Sequence, residues 1–353
     1  MSLPKVMKAT ILHGPNDIRI EEVEVPKPGP HEIIIKVYVD GICPTGVHAI
    51  KLGKQWGPPG VKIPGFPGHE FAGEVVAVGE HVEGIKVGDR VVAELQIRCG
   101  KCYYCRIGKS NLCINRRGTG YMSWAEYVKT YDFLTYKIPD HVSYEEAAFT
   151  EPLACCLNGV EQANIKPGDD VVVIGAGPIG LMIAQLAKNV KGARVIISDL
   201  IDSRLEVARK LGIHVTINPT RENIIEKVKE LTDGMGANVV IVTVGNTKVQ
   251  EESLKLVRPT GTVVFFAGVH IAGEPLISVN SNFIHYGEVN ITGAFDKTPE
   301  QFRRSLKLIA IGAVKVKPLI SHRIPLDKIH EGIEIVDKRK GLKVMVYPHG
   351  RDS

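Results

Sequence analysis

Four of the chain's seven cysteines fall between Cys99 and Cys113, in the spacing C-x2-C-x2-C-x7-C. Thiolates at Cys99, Cys102, Cys105 and Cys113 can close a tetrahedral shell around zinc and leave no position for water, so a metal held there is expected to be structural. Gly100 and Gly108 give the backbone freedom to wrap around it. Redox-active thiol pairs are the competing chemistry, and a cluster of four argues for metal instead. The odd total of cysteines, unevenly spread, argues against a disulfide framework.

Other metal-ligating types are dispersed. Cys43 lies in Gly41-Ile42-Cys43-Pro44-Thr45-Gly46-Val47-His48, His69 and Glu70 in Gly68-His69-Glu70-Phe71-Ala72-Gly73, and Glu151 in Thr150-Glu151-Pro152-Leu153. Singly each has an ordinary reading: Cys43 as a small buried apolar group, His69 as a satisfied polar one, Glu70 and Glu151 as solvated carboxylates. Cys155 and Cys156 follow Glu151 on an expected helix and read as buried small side chains.

A third constellation is glycine-rich. The apolar run Val171–Ile174 leads into Gly175-Ala176-Gly177-Pro178-Ile179-Gly180. A GxGxxG match is informative only after a strand and before a helix, which is its setting here. The first glycine permits a tight turn, the second lets backbone approach a pyrophosphate, and the third lets helix pack on strand. The helix N-terminus then offers unpaired N–H groups to the phosphates. Asp199 ends the next strand, 19 residues beyond Gly180, where a carboxylate accepts from ribose hydroxyls and repels a 2′-phosphate. That favours NAD over NADP, although Arg204 nearby can either line an adenine pocket or tolerate a phosphate.

These groups need elements to carry them. Residues 6–40 and 70–92 alternate short apolar bursts with turns and read as β-structure, whereas residues 41–70, rich in Gly and Pro, read as irregular. Tyr144–Gln162 has helical spacing. Strands at Val171–Ile174, Arg194–Ser198, Val215–Asn218, Val239–Val242 and Thr262–Phe266 then alternate with amphipathic helices, which predicts a parallel sheet covered on both faces. After residue 293 one or two helices and a final strand, Leu342–Tyr347, form a piece too small to fold alone. The length of 353 residues suggests two domains.

Composition bounds the class. Hydrophobic residues make up 44% and charged residues 24%, as in an ordinary globular protein, and the net charge of +5 contains no long block of one sign. Asp337-Lys338-Arg339-Lys340 reads as solvated surface, not as a nucleic-acid arm. The longest uncharged run, Val171–Ala187, has 17 residues and carries the glycine turn, so it is no membrane span. No secretory signal is read at the N-terminus, and a cytoplasmic location is expected.

In order along the chain, Gly68-His69-Glu70-x-x-Gly73-x5-Gly79-x-x-Val82, Val87-Gly88-Asp89-Arg90-Val91, the cysteine quartet, Glu151-Pro152-Leu153 and Gly175-x-Gly177-Pro178-x-Gly180 resemble the zinc-containing medium-chain dehydrogenase/reductases of the alcohol dehydrogenase superfamily. Glu70 beside His69, with Glu151-Pro152-Leu153, looks most like the sorbitol and threonine dehydrogenase branch. The resemblance covers residues 7 to 347. It implies an α/β fold: a doubly wound Rossmann domain at 151–293, inserted into a mainly β, GroES-like catalytic domain of residues 1–150 and 294–353 that includes a structural-zinc lobe at 95–115. The active cleft would lie between them. It implies two zinc ions per chain and a nicotinamide cofactor, with a small-molecule alcohol or ketone as substrate and no nucleic acid or membrane partner. It also implies a homodimer or homotetramer that joins cofactor-domain sheets at an edge strand such as Val289–Thr292.

By the same resemblance Cys43, His69 and Glu70 match ligands of a catalytic zinc, and Glu151 a carboxylate that joins or leaves its shell. Thr45 matches the hydroxyl that takes the alcohol proton and His48 the end of a relay to solvent. The cofactor set would comprise Gly175, Gly177, Pro178, Ile179, Gly180, Asp199, Arg204, Val244 and Gly268. Trp56, Tyr121, Trp124 and Phe295 can line a substrate pocket or pack in a core. One departure stands out: the family usually has Cys-Gly-Ser/Thr-Asp, and its aspartate braces the zinc-bound histidine, whereas this chain has Cys43-Pro44-Thr45-Gly46. Hydride transfer between a secondary alcohol, of polyol or sugar-derived type, and NAD is the expected activity. A threonine- or amino-alcohol dehydrogenase, a metal-independent NAD(P)H reductase and a non-catalytic NAD-binding sensor are the alternatives.

Overall fold

A computed structural model describes residues 3–52, 65, 67–120, 122–269 and 274–350, so Trp56 and Tyr121 lie outside the described residues. The chain divides into two compact units, Met1–Pro152 with Thr298–Ala310 and Ile320–Ser353, and Leu153–Lys297 with Ile311–Leu319.

The first unit begins with a hairpin, β1 (Val6–Gly14) and β2 (Asp17–Glu24), and continues through β3 (Glu32–Gly41) to helix α1 (Pro44–Leu52). Here the expectation of irregular backbone over 41–70 is corrected at 44–52. Pro44 opens a helix because the first helical residue has no N–H to contribute to the ladder. The chain goes on through β4 (Glu70–Val78) and β5 (Arg90–Ala93). The short pair β6 (Gln96–Ile97) and β7 (Arg117–Gly118) brackets the cysteine loop and its one-turn helix α2 (Tyr103–Arg106). Then come β8 (Tyr127–Tyr131), β9 (Thr135–Lys137), α3 (Tyr144–Ala147) and α4 (Thr150–Gln162). The stretch 144–162 is thus two helices; Ser143 starts the first with a capping box to Glu146.

The second unit alternates strand and helix: β10 (Asp170–Ile174), α5 (Pro178–Gln185) prolonged by a π-helical turn at Leu186–Val190, β11 (Arg194–Ser198), α6 (Asp202–Lys210), β12 (Val215–Ile217), α7 (Ile224–Leu231), β13 (Ala237–Val242), α8 (Thr247–Ser253), β14 (Val257–Phe265), α9 (Ser281–Gly287) and β15 (Asn290–Gly293). All six strands are parallel, in the order β12-β11-β10-β13-β14-β15. The order reverses at β10, so right-handed crossovers put helices on both faces, the doubly wound arrangement. Val172, Ile196, Val240, Val242 and Val263, all fully buried, fill its core. β15 is a terminal strand of this sheet.

The C-terminal segment returns to the first unit with α10 (Pro299–Ala310), β16 (Ile320–Pro325), α11 (Ile329–Asp337) and β17 (Lys343–Tyr347). β16 was not expected; its alternation is weak because it is an edge strand with polar Ser321, His322 and Arg323 on it. The sheet of this unit runs β16-β17-β3-β4-β5-β9, with β8 also pairing β3. β3 is buried along nearly its whole length because strands flank it on both sides. Its pairing places Gly41 opposite Glu70 on β4 and Met345 on β17, and Asp40 opposite Phe71 and Val346. Two strands approach so closely at Gly73 that a Cβ there would stand 2.0 Å from the Lys36 carbonyl oxygen. Trp124 belongs to this unit's core, with Ile42, Val47, Ile329 and Val344, whereas Phe295 is exposed.

Among the described residues no helix is long and apolar enough to cross a membrane. Replacing Gly73 by Ala should force β3 and β4 apart and lower the free energy of unfolding by about 1–3 kcal/mol; urea titration followed by circular dichroism measures it.

Candidate active site

Three donors predicted from dispersed positions meet in the first unit. The Cys43 sulfur, a His69 ring nitrogen and a Glu70 carboxylate oxygen all lie within 4.8 Å of one another. Cys43 sits between β3 and α1, and His69 and Glu70 lead into β4, so the β3–β4 register sets the distance between the two ligand segments. Glu70 is buried, while Cys43 and His69 are partly exposed. Gly41 has a specific purpose here: a Cβ on it would stand 2.3 Å from Glu70 Oε2, so only glycine leaves room for that carboxylate.

Glu151 is not among the donors within this distance, but its charge acts on His69. Loss of water around the His69 ring favours its neutral form; hydrogen bonding to Cys43 and the charges of Glu151 and Glu70 outweigh this and raise its pKa to about 10. Thr45 and His48 lie on α1, three residues apart and so on one face, Thr45 exposed and His48 partly buried. At Gly46 no described atom outside its own helical turn lies within 4 Å of the place a Cβ would take.

Two further ionisable groups, missed in the sequence, complete this arrangement. Lys343 on β17 is buried, and its Nζ lies 2.5 Å from Glu70 Oε2 and 3.4 Å from the Ile42 carbonyl oxygen. Burial favours the neutral amine, yet Glu70, Cys43 and Glu151 hold the Lys343 pKa above its ordinary value. Asp40, on β3, is fully buried, and its Oδ1 accepts the Glu70 N–H at 3.0 Å. Burial pushes the Asp40 carboxyl up to about 7; the Ser123 hydroxyl and the His69 charge oppose that shift. The available signal was a charged residue at an inward position of an apolar strand, as in Val39-Asp40-Gly41 and Leu342-Lys343-Val344.

The quartet Cys99, Cys102, Cys105 and Cys113 also converges, all four sulfurs within 4.8 Å of one another. The Cys102 N–H donates to Cys99 Sγ and the Cys99 N–H to Cys113 Sγ, both at 3.4 Å. Backbone N–H groups of Lys101 and Cys102 lower the Cys99 thiol to about 6. Gly100 and Gly108 have φ of 67° and 78°, the left-handed region that favours glycine. Four sulfurs with amides aimed at them fit a closed zinc shell; Cys43, His69 and Glu70, three donors of which two are partly exposed, fit an open one.

In the second unit, Gly175 has φ 101°, and Thr243 Oγ1 and Val244 Cγ2 lie 2.6 and 3.0 Å from where its Cβ would stand. Gly180 is required by packing, since a Cβ would fall 1.8 Å from the Gly175 carbonyl oxygen. The Cβ direction of Gly177 meets only Arg204 Nη1, at 4.0 Å, leaving backbone open to a ligand at the α5 N-terminus, with Pro178 and Ile179 in its first turn. Asp199 Oδ2 accepts the Ala176 N–H at 2.7 Å and Oδ1 the Ile201 N–H at 2.9 Å, with Arg204 Nη1 3.8 Å away. Gly268 borders the same strand ends: its carbonyl oxygen lies 2.4 Å from the Cβ position of Gly245. Cys156 is buried and Cys155 partly exposed.

A fold of this kind with these two donor groups is that of a dehydrogenase, and comparison with known proteins makes the class specific. Residues 29–140 match the family model of the alcohol dehydrogenase GroES-like domain and residues 178–310 that of the zinc-binding dehydrogenases. The chain is 34% identical to sorbitol dehydrogenase of Bacillus subtilis (strain 168), over 99% of each chain. It is 35% identical to L-threonine 3-dehydrogenase of Pyrococcus abyssi, over 96% of this chain and 97% of that one. A protein solved as a candidate zinc-binding dehydrogenase from Sinorhizobium meliloti 1021, bound to NADP, superposes with a TM-score of 0.89 at 33% identity, covering 98% of this chain and all of that one. The chain belongs to the zinc-containing alcohol dehydrogenases of the medium-chain dehydrogenase/reductase family. Its fold is theirs, and its reaction class is oxidoreduction at the CH–OH group of a small molecule with a nicotinamide cofactor.

Replacing Cys102 by Ser should remove zinc from the cysteine lobe and lower the melting temperature. Elemental analysis and calorimetry measure the two effects, and an unchanged melting point would count against a structural metal.

Proposed function

We propose that the chain oxidises a secondary alcohol of the polyol or sugar-derived class with NAD, using zinc at Cys43, His69 and Glu70. The observation that carries this reading is the convergence of those three donors, one buried and two accessible. Zinc held there supplies Lewis acidity, which lowers the pKa of a coordinated oxygen by several units and favours loss of the hydroxyl proton.

The chain's own residues do the rest. Lys343 offsets the negative charge of Glu70, so the donor set carries less anionic charge than its two acidic ligands alone would give. That leaves more of the metal's positive charge to act on substrate. Thr45 takes the hydroxyl proton, and His48, on the same face of α1, passes it on. Glu151 acts on His69 through its charge and is available as an exchanging ligand. The N-terminus of α5, at Gly177 and Pro178, would hold the cofactor phosphates with its backbone N–H groups. Asp199, held by two backbone amides, offers its remaining lone pairs to ribose hydroxyls and disfavours a 2′-phosphate.

The polyol assignment draws on the likeness to sorbitol dehydrogenase, and the likeness to L-threonine 3-dehydrogenase makes amino alcohols the comparison class. Steady-state rates across polyols, hydroxy acids and amino alcohols, with NAD and with NADP, test it. Polyol turnover with NAD is expected; turnover confined to amino alcohols, or none at all with NAD still bound, overturns it.

Glu70→Ala or Cys43→Ala should abolish turnover while NAD binding, followed by fluorescence titration, persists. Retained activity in either variant would remove that residue from the ligand set. Asp199→Gly should move the ratio of kcat/KM for NAD and NADP toward NADP, and an unchanged ratio would mean that the ribose is read elsewhere.

A further inference from the structure

The carboxylate of Asp40 has no counterpart in the roles assigned above. It is completely buried. Its Oδ1 accepts the Glu70 N–H, which belongs to the peptide joining His69 to Glu70. Its Oδ2 lies against the same segment, 2.7 Å from where a Cβ of Gly68 would stand. Gly68, at φ 98°, is thus glycine both for its backbone and to admit this carboxylate. One side chain therefore spans Gly68-His69-Glu70, the segment that presents two donors.

Asp40 Oδ2 has no well-formed hydrogen bond among the described residues, the Ser123 hydroxyl acting on the carboxyl only through a loose contact, and Trp124 Nε1 in the adjoining segment has none either. A buried carboxylate oxygen left in this state is costly. An asparagine would accept the Glu70 N–H equally well without burying a charge. The second carboxyl oxygen, set against Gly68, is thus not explained by the hydrogen bond to Glu70, and a cation bound by the neighbouring ligands explains it. Position 46, by contrast, is a glycine with no described atom outside its own helical turn near its Cβ position, and α1 carries no acidic residue.

We infer that Asp40 is the positioning residue of the metal centre, fixing the His69–Glu70 peptide through one oxygen and placing on β3 a carboxyl group that α1 does not supply at position 46. This rests on the reading of Cys43, His69 and Glu70 as metal ligands. It asks nothing of Asp40 as a ligand itself. It accounts for the one fully buried carboxylate on a strand whose other charged residues, Glu32 and Lys36, are only partly buried.

The test is metal affinity of the folded full chain, measured by zinc and cobalt(II) titration against a chelator. The binding class missing from Cys43→Ala identifies the site, and the four-cysteine class serves as internal control. Asp40→Ala should weaken the first class about 10–100-fold, as loss of a group that orients a ligand typically does, and leave the second unchanged. The cobalt ligand-field bands of the first class should shift. Asp40→Asn keeps shape and the acceptor for the Glu70 N–H, so it serves where the alanine variant fails to fold, and it should weaken the same class by about 10-fold. A folded variant with a lower melting temperature but unchanged affinity and spectrum at that site would overturn the inference and reduce Asp40 to packing. If the parent protein shows no class that Cys43→Ala removes, the metal reading itself falls and the inference with it.

Discussion

The ion pair between Lys343 and Glu70 joins two of three adjacent strands, and the donor group is arranged around it. Both side chains are almost wholly removed from water. Taking away either partner would strand a charge in the interior, which typically costs about 3–5 kcal/mol. The pair therefore ties the register of β17 to that of β3 and β4, and with it the place of Glu70. Gly41 gives the carboxylate room and Asp40 holds its backbone. Glu70 is thus set by neighbours on two strands before any ligand is considered. Such support is what keeps a coordinating carboxylate in one rotamer.

The cofactor turn in the second unit is built differently. Its parts are local: Gly175 to Gly180 form the turn, and Asp199, at the next strand end, is fixed by an amide of that turn and one of its own loop. The geometry follows from the parallel pairing of β10 and β11, which aligns Ile174 with Ser198. The cysteine lobe is more local still, with its four donors inside one loop bracketed by β6 and β7. It has little apolar interior, and exposed Tyr103, Ile107 and Ile114 lie on it. Cross-linking through sulfur is the natural source of its order.

This gradient explains what could be read from the residues alone. The quartet and the glycine turn were legible because spacing within a short segment is itself the signal. Cys43, His69 and Glu70 were legible only through resemblance, since nothing in their spacing says that β3 and β4 pair. Lys343 and Asp40 were not legible: their burial arises from strands hundreds of positions apart, and a single charge in an apolar strand usually points outward. Helix α1 was hidden by Pro44, which reads as a breaker until its place at the helix start is known. β16 was hidden by the polar residues of an edge strand.

The separation of Lys343 from Glu70 by 273 positions also has a temporal meaning. On a ribosome adding roughly 5–20 residues per second, tens of seconds pass between the synthesis of one and the other. During that interval the nascent β3–β4 pair holds two acidic side chains, Asp40 and Glu70, with no lysine from β17 beside Glu70. In that state the Glu70 carboxylate lacks its lysine partner, and a metal ion is a positive charge that can settle beside it early. Order of synthesis thus makes the ligand segment an open acidic notch first and a closed, charge-balanced one only when β17 arrives.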